Sequence, residues 1–171
     1  MTELIVDASG WLTLPGRRFM CALGRSGIAA KKREGDGATP AGRWPLRNIL
    51  YRADRISPPV TRLPSAALTP DAGWCDDPAH GDYNRMVRLP HPARCEELWR
   101  ADALYDLIVV LGYNDSPVVA GLGSAIFLHV ARPTYAPTEG CVALAMGDLR
   151  AVLSEIGPGD AVEIVAGAAA K

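Results

Sequence analysis

Two residues whose types can do covalent chemistry stand twelve positions apart in the stretch 127–145: His129 and Cys141. His129 lies inside an apolar, β-branched run, "FLHVA", and Cys141 follows a Glu-Gly pair and opens a second apolar run, "CVALA". The thiolate is the reactive form of cysteine, and a nearby base or positive field is what produces it. The intervening "RPTYAPTEG" is rich in turn formers and long enough to bring two strand ends together. Gly140, directly before Cys141, lets the backbone approach a substrate closely. It can also hold a positive φ that aims backbone N–H groups at a developing oxyanion. Arg132, three residues past His129, can meet a substrate carboxylate as a bidentate fork. On residue type alone, Cys141 is equally at home as a small buried hydrophobe.

The elements that must position this pair are mostly strands. "ELIVD" and "WLTL" are short apolar runs separated by "ASG", a hairpin pattern, and "RRFMCALG" is a third strand in which Cys21 is a core residue. "KKREGDGATPAG" reads as an exposed, turn-rich loop, and "RWPLRNIL" as a strand. Residues 52–84 form the longest irregular region, and long ordered loops tend to be lids or binding loops. "YDLIVVLGYN" and "SAIFLHVA" are strands, as is "DAVEIV" at the end. Two helices are expected: one in "ARCEELWRADAL" after Pro92, and one in "LRAVLSEI", N-capped by Asp148 and stopped by Gly157-Pro158. The sum is a mainly β fold with two short helices and a long lid. The strands are too short and irregularly spaced for a doubly wound α/β sheet.

Length and charge bound the function. The 171 residues suit one domain, 1–171, and 49% hydrophobic with 22% charged residues is a globular composition. A net charge of −1 with no clustered basic surface excludes a typical nucleic-acid binder, and "KKRE" at 31–34 reads as a solvated loop. No span approaches the ~20 apolar residues of a transmembrane helix. The start, "MTELIVDASG", has no basic n-region and does not read as a signal peptide. Four cysteines (Cys21, Cys75, Cys95, Cys141) without a Cys-x-x-Cys pair argue against both a disulfide framework and a zinc ribbon.

The segment "HVARPTYAPTEGC" resembles the signature of the L,D-transpeptidase catalytic domain (YkuD type): a His on one strand, a variable loop, then Ser/Thr-His-Gly-Cys. Here the positions read His129, then Thr138-Glu139-Gly140-Cys141. Upstream, "GDGATPAG" is similar to that family's Gly-Asp-Gly-x-Thr-Pro-x-Gly segment, and "GYNDSPVVAGLGSAIFLHVA" to its approach to the His. The likeness runs from about residue 32 to the C-terminus. Glu139 replaces the family's His, and the His-to-Cys loop is shorter than usual. A carboxylate facing the sulfur would disfavour the thiolate, so Glu139 is expected to turn away and pair with Arg132. Val130 follows the His and has no side-chain acceptor, so a backbone carbonyl must orient the imidazole.

The resemblance implies an L,D-transpeptidase-like β-sandwich and a cysteine acyltransferase acting on peptidoglycan stem peptides. It implies Cys141 as nucleophile, His129 as base, an oxyanion hole around Gly140, no cofactor and no metal, and a periplasmic or envelope location. Thr138, Glu139 and Arg132, with Tyr83, Asn84 and Arg85 from the lid, are the expected substrate contacts, and the protein is expected to be a monomer. "WCDDPAHGDYN" gathers Cys75, Asp76, Asp77, His80 and Asp82, a mixture of hard and soft ligands that favours a polar lid over a metal site. His80 and His91 are read as solvated, and Trp11, Trp44, Trp74 and Trp99 as core or cleft wall. Competing readings are an L,D-carboxypeptidase or amidase with water as acceptor, a non-catalytic binding module, and a redox or structural protein in which Cys141 is merely a thiol.

Overall fold

A computed structural model describes residues 1–30 and 32–167. β1 (Glu3–Asp7), β2 (Trp11–Leu14) and β3 (Arg17–Ala22) form the expected meander, and β14 (Ala161–Val165) lies parallel to β1. A two-residue parallel pairing joins β4 (Ile28–Ala29) to β5 (Thr39–Pro40). The long strand β6 (Gly42–Tyr51) pairs through its first half with β14 and through its second half with β11 (Leu107–Leu111). β12 (Phe127–Val130) and β13 (Val142–Leu144) continue from β11, and β13 returns to the end of β3. Two sheets therefore share β3 and β6 at their corners, which is how a sandwich turns its edges.

Strand alternation sorts side chains into two apolar clusters. One face of both sheets contributes Leu4, Val6, Leu12, Ile49, Val109, Leu128, Val142 and Val162 to the main core. The single α-helix among the described residues, α1 (Met146–Glu155), adds Leu149, Val152 and Leu153. The alternate residues Leu50, Ile108, Val110, Phe127 and Cys141 face outward into a second cluster. A small sheet of β8 (Ala72–Cys75), β9 (Met86–Arg88) and β10 (Cys95–Glu97) supplies Ala72 and Trp74, with Leu98 just beyond it, to this second cluster. β7 (Ser65–Ala67) extends the large sheet beside β6.

Three expectations are corrected here. Residues 93–104 are not a helix: Cys95–Glu97 pair with Gly73–Cys75, and turns follow. Helix propensity is a weak prior, and here strand pairing plus burial of Leu98 overrides it. α1 starts earlier than Asp148, which sits in its first turn, while Ala145 takes the N-cap without a side-chain bond. Residues 52–84 contain β7 and β8 rather than being an irregular lid throughout. No helix among the described residues is long and apolar enough to cross a membrane.

Ile49 is fully buried in the β6 half that pairs with β11. Ile49→Ala should lower stability by about 2–5 kcal/mol, read as a shift of the urea midpoint with unchanged slope.

Candidate active site

β12 and β13 run parallel with His129 opposite Ala143. Residues in register share a face and every second residue returns to it, so Cys141, two positions before Ala143, lies on the His129 side. Both line a cleft of about 610 Å³. Its walls are Lys32 and Glu34 on one side, Asp76, Arg94, Glu96, Arg100 and Tyr105 on another, and the 132–139 loop on a third. Of residues 52–84, Asp76 alone reaches this cleft. The wall comes instead from 94–105, because β10 lies across the outer face of the large sheet.

The His129 ring is held from two sides. Nδ1 lies 2.9 Å from the Val130 carbonyl, the backbone acceptor expected for a His without a side-chain partner. A carbonyl only accepts, so Nδ1 carries the proton and Nε2 is left basic. Tyr105 packs edge-on at 5.2 Å between ring centroids. Burial lowers the imidazole pKa to about 4, and the Arg100 charge adds to this against the carbonyls of Val130 and Leu104. The Cys141 thiol donates to the Ala125 carbonyl at 3.2 Å. Burial pushes its pKa up to about 12, with Glu96 raising it further, while the Phe127 N–H and the Lys32 charge act the other way. At neutral pH the resting pair is thus thiol and imidazole, not thiolate and imidazolium.

Two loops fix the backbone at Cys141. Gly140 has φ +137°, and a Cβ there would stand 2.8 Å from the Ala38 carbonyl oxygen, so both conformation and space require glycine. The Thr138 hydroxyl donates to the Cys141 carbonyl at 2.6 Å and accepts from the Gly140 N–H at 3.1 Å. Thr138 also bonds Leu23 and Arg25 through its backbone. Ala38 is itself held by Asp36, whose carboxylate accepts from the Ala38 and Arg33 N–H groups and from Lys32 Nζ. Burial would raise the Asp36 pKa, but the Lys32 ammonium and the two N–H groups keep it below the usual carboxylate value. The "GDGATPAG" and "TEGC" segments therefore meet directly beneath Cys141.

Several expected contacts move. Glu139 does turn away from the sulfur, but its partner is Arg25 at 3.0 Å, not Arg132. Arg132 lines the cleft and stands 3.8 Å from Asp102. Tyr83 is buried behind the wall, its hydroxyl donating to Glu34 and accepting from the Gly123 N–H. Asn84 is buried too, accepting from Trp74 and the Ala125 N–H and donating to the Tyr113 and Asn114 carbonyls. It positions the residue whose carbonyl holds the Cys141 thiol. Arg85 is exposed and outside the cleft. Sequence reasoning missed Lys32, whose side chain is only 4% exposed and bonds Asp36 at 2.9 Å; Lys31, in the same basic run, lies outside the described residues. The spacing Lys-x-x-x-Asp ending in the Gly-Asp-Gly turn was the available signal. Glu96 and Arg100 were hidden by the mistaken helix.

The fold is mainly β, and His129 on β12 and Cys141, immediately before β13, share the floor of a charged cleft. The YkuD family model, the L,D-transpeptidase catalytic domain, matches residues 3–164, and the chain belongs to that family. The match begins well before the segment in which the resemblance was first legible. A search of curated protein sequences found no match. Among solved structures, L,D-transpeptidase 1 of Mycobacterium tuberculosis is similar at 12% identity and a TM-score of 0.45, over 96% of this chain and 58% of that one. An L,D-transpeptidase from Mycobacterium smegmatis follows at 13%, 0.43, 96% and 58%. The helical cell shape determining protein Pgp2 of Campylobacter jejuni is similar at 13% and 0.42, over 98% and 48%. The chain spans 58% or less of the length of each.

Alkylation of Cys141 by a small neutral reagent should rise about tenfold per pH unit from pH 7 to 10, because the thiolate fraction does so below the pKa. Intact-mass kinetics measure this, and a plateau below pH 8 would reveal a preformed ion pair. Glu96→Gln removes a charge that opposes the thiolate and should speed the reaction at every pH in that range.

Proposed function

We propose that the protein is an L,D-transpeptidase-type cysteine acyltransferase acting on peptidoglycan stem peptides. The observation that carries this reading is the shared cleft floor of His129 on β12 and Cys141 immediately before the parallel strand β13, in a chain of that family. The thiol leaves the Ala125 carbonyl and attacks the carbonyl of the stem's third residue, giving its proton to Nε2 of His129 as the S–C bond forms. The C–N bond then breaks, and the terminal D-alanine departs with the proton returned by His129. An amine from a second stem attacks the thioester, giving one proton to His129 as the new C–N bond forms; the C–S bond then breaks and the Cys141 sulfur takes that proton back. The Gly140 N–H is committed to Thr138, so the oxyanion hole needs the Cys141 N–H and donors outside that turn.

The electrostatics of the cleft suit this substrate class. Arg132 offers a fork for a carboxylate of a short peptide, Arg94 and Arg100 add positive charge while held by Asp76 and Asp102, and Glu34 and Glu96 stand where an amine would approach. Neutral reactants favour coupled proton transfer: His129 is an unprotonated base above about pH 4 and the thiol keeps its proton to about pH 12.

D-Alanine release from a tetrapeptide stem, followed with and without an amine acceptor, tests the proposal. Cys141→Ala should abolish release, while Cys21→Ala, in the core, should keep most of it. Loss of both activities to the same degree would sink the assignment. D-Alanine release without any cross-linked product would identify water as the acceptor, the L,D-carboxypeptidase form of the same acyl-enzyme.

Arg132→Ala should raise KM more than it lowers kcat, the signature of a group that binds ground and transition states alike. Imipenem should add its mass to Cys141, since a strained lactam acylates a thiol poised to form a thioester. The rate should climb with pH because Glu96, not Glu139, faces the sulfur.

A further inference from the structure

β8 and β10 pair antiparallel, and their register sets Cys75 directly opposite Cys95. The Sγ atoms of both and a ring nitrogen of His91 lie within 4.8 Å of one another. Next to them, ring nitrogens of His80 and His91 and a carboxylate oxygen of Asp82 form a second group with the same span. The two imidazoles are 4.9 Å apart by centroid, and Asp82 Oδ2 stands 3.1 Å from His91 Nε2 and 3.6 Å from His80 Nδ1. Neither histidine is free in solvent as its sequence context suggests: the His91 side chain is 12% exposed. Cys75 is fully buried.

Two thiols and an imidazole converge in a sheet whose strands have only four, three and three residues, and so small a sheet is marginal by itself. Their resting contacts are local ones that a shared ion can replace: the Cys95 thiol meets the Ala93 carbonyl at 3.4 Å, and the His91 ring accepts from the Ala93 N–H and meets Asp82. Two sulfurs with imidazole nitrogen are the donor set of a tetrahedral zinc site. Bonds of about 2.3 Å to sulfur and about 2.0 Å to nitrogen put tetrahedral ligand atoms roughly 3.4–3.8 Å apart, so atoms now within 4.8 Å need to draw in by about 1.0–1.4 Å at most.

We propose that Cys75, Cys95 and His91 bind one Zn²⁺ as a structural site, its fourth corner supplied from the His80–Asp82 pair that already contacts His91. The ion replaces one thiol proton on each cysteine, and both are released to solvent. The site staples the cleft wall from behind. Cys95 stands between Arg94 and Glu96, and Cys75 precedes Asp76, and all three of those neighbours line the cleft. Alternation along the strand sends Cys95 to the face opposite Arg94 and Glu96. The proposal stands whatever reaction the cleft performs.

The full chain, purified without chelator, given excess zinc and passed through gel filtration, should retain one zinc per chain by elemental analysis. Cys75→Ser and Cys95→Ser should each reduce this at least tenfold, and Cys21→Ala should not. Asp82→Asn should weaken zinc at least about tenfold, because Asp82 either supplies the fourth corner or holds the imidazoles that do. Chelation should lower Tm and make two further thiols reactive, and zinc should reverse both. Cobalt added to the wild-type chain should give the intense visible bands of a tetrahedral thiolate site, a readout that needs no variant. Retention of less than a tenth of an equivalent of zinc by the folded wild-type chain would overturn the proposal. So would two missing thiols that only a reductant restores, which would mean a Cys75–Cys95 disulfide.

Discussion

The parallel pairing of β12 with β13 is the constraint on which the site depends. Its register puts His129 and Cys141 on one face, and a slip of one residue would send Cys141 into the main core in place of Val142. Parallel neighbours need a crossover, usually of a dozen or more residues and often helical. Here residues 131–141 make the crossing without a helix. A short crossover has to be held from outside, and Thr138 does much of this. Its backbone bridges to the Leu23–Arg25 segment, and its hydroxyl closes the turn around Gly140. The hydroxyl at this position in the motif is thus a backbone clamp first and a cleft-lining group second.

The same constraint explains the distant Gly-Asp-Gly segment. Gly140 can lie against the Ala38 carbonyl only if Ala38 is fixed, and Asp36 fixes it. Gly24 admits the Gly37 carbonyl where a Cβ would stand at 2.3 Å, and its N–H reaches the Thr39 hydroxyl. Three chain segments therefore share one close-packed junction under Cys141. The Glu139–Arg25 pair sits at its edge with the Glu139 side chain 80% exposed. Exposed ion pairs contribute about 0–1 kcal/mol, so the junction does not rest on it. That is why a glutamate can stand where the family pattern has histidine without loss of the turn.

Much of this was legible in the sequence where a local rule and the tertiary answer agree. The meander, β11, β12 and the final strand follow from apolar runs bounded by turn residues, and the Cys141–His129 pairing from the motif. The helix expected at 93–104 shows the opposite case. Its Cys-Glu-Glu-Leu-Trp run suits a helix locally, but Cys95–Glu97 are claimed by β8, twenty residues upstream. That one error hid Glu96 and Arg100 and handed the cleft wall to 52–84. Tyr83 and Asn84, expected as substrate contacts, are buried outside the cleft lining, and the sequence could not show this because the hydrogen bonds of both side chains end on residues 29 or more positions away, apart from the Trp74 indole. Lys32 looked like one of a solvated run because charge alone does not reveal burial.

The resting electrostatics follow from where the pair is buried. A thiol and an imidazole under a close-packed sheet both lose solvation, and each loss favours the neutral form. Lys32 is the cation that stabilises the Cys141 thiolate, yet its ammonium is already bonded to Asp36. Glu96 opposes it, and burial raises the Glu96 pKa while the Tyr105 hydroxyl lowers it. The balance at the sulfur therefore depends on these two charged neighbours: a cation beside Glu96 would remove the group that disfavours the thiolate, whereas an anion beside Lys32 would weaken the group that favours it. A cleft lined by both signs of charge holds the buried Cys141 between the two effects.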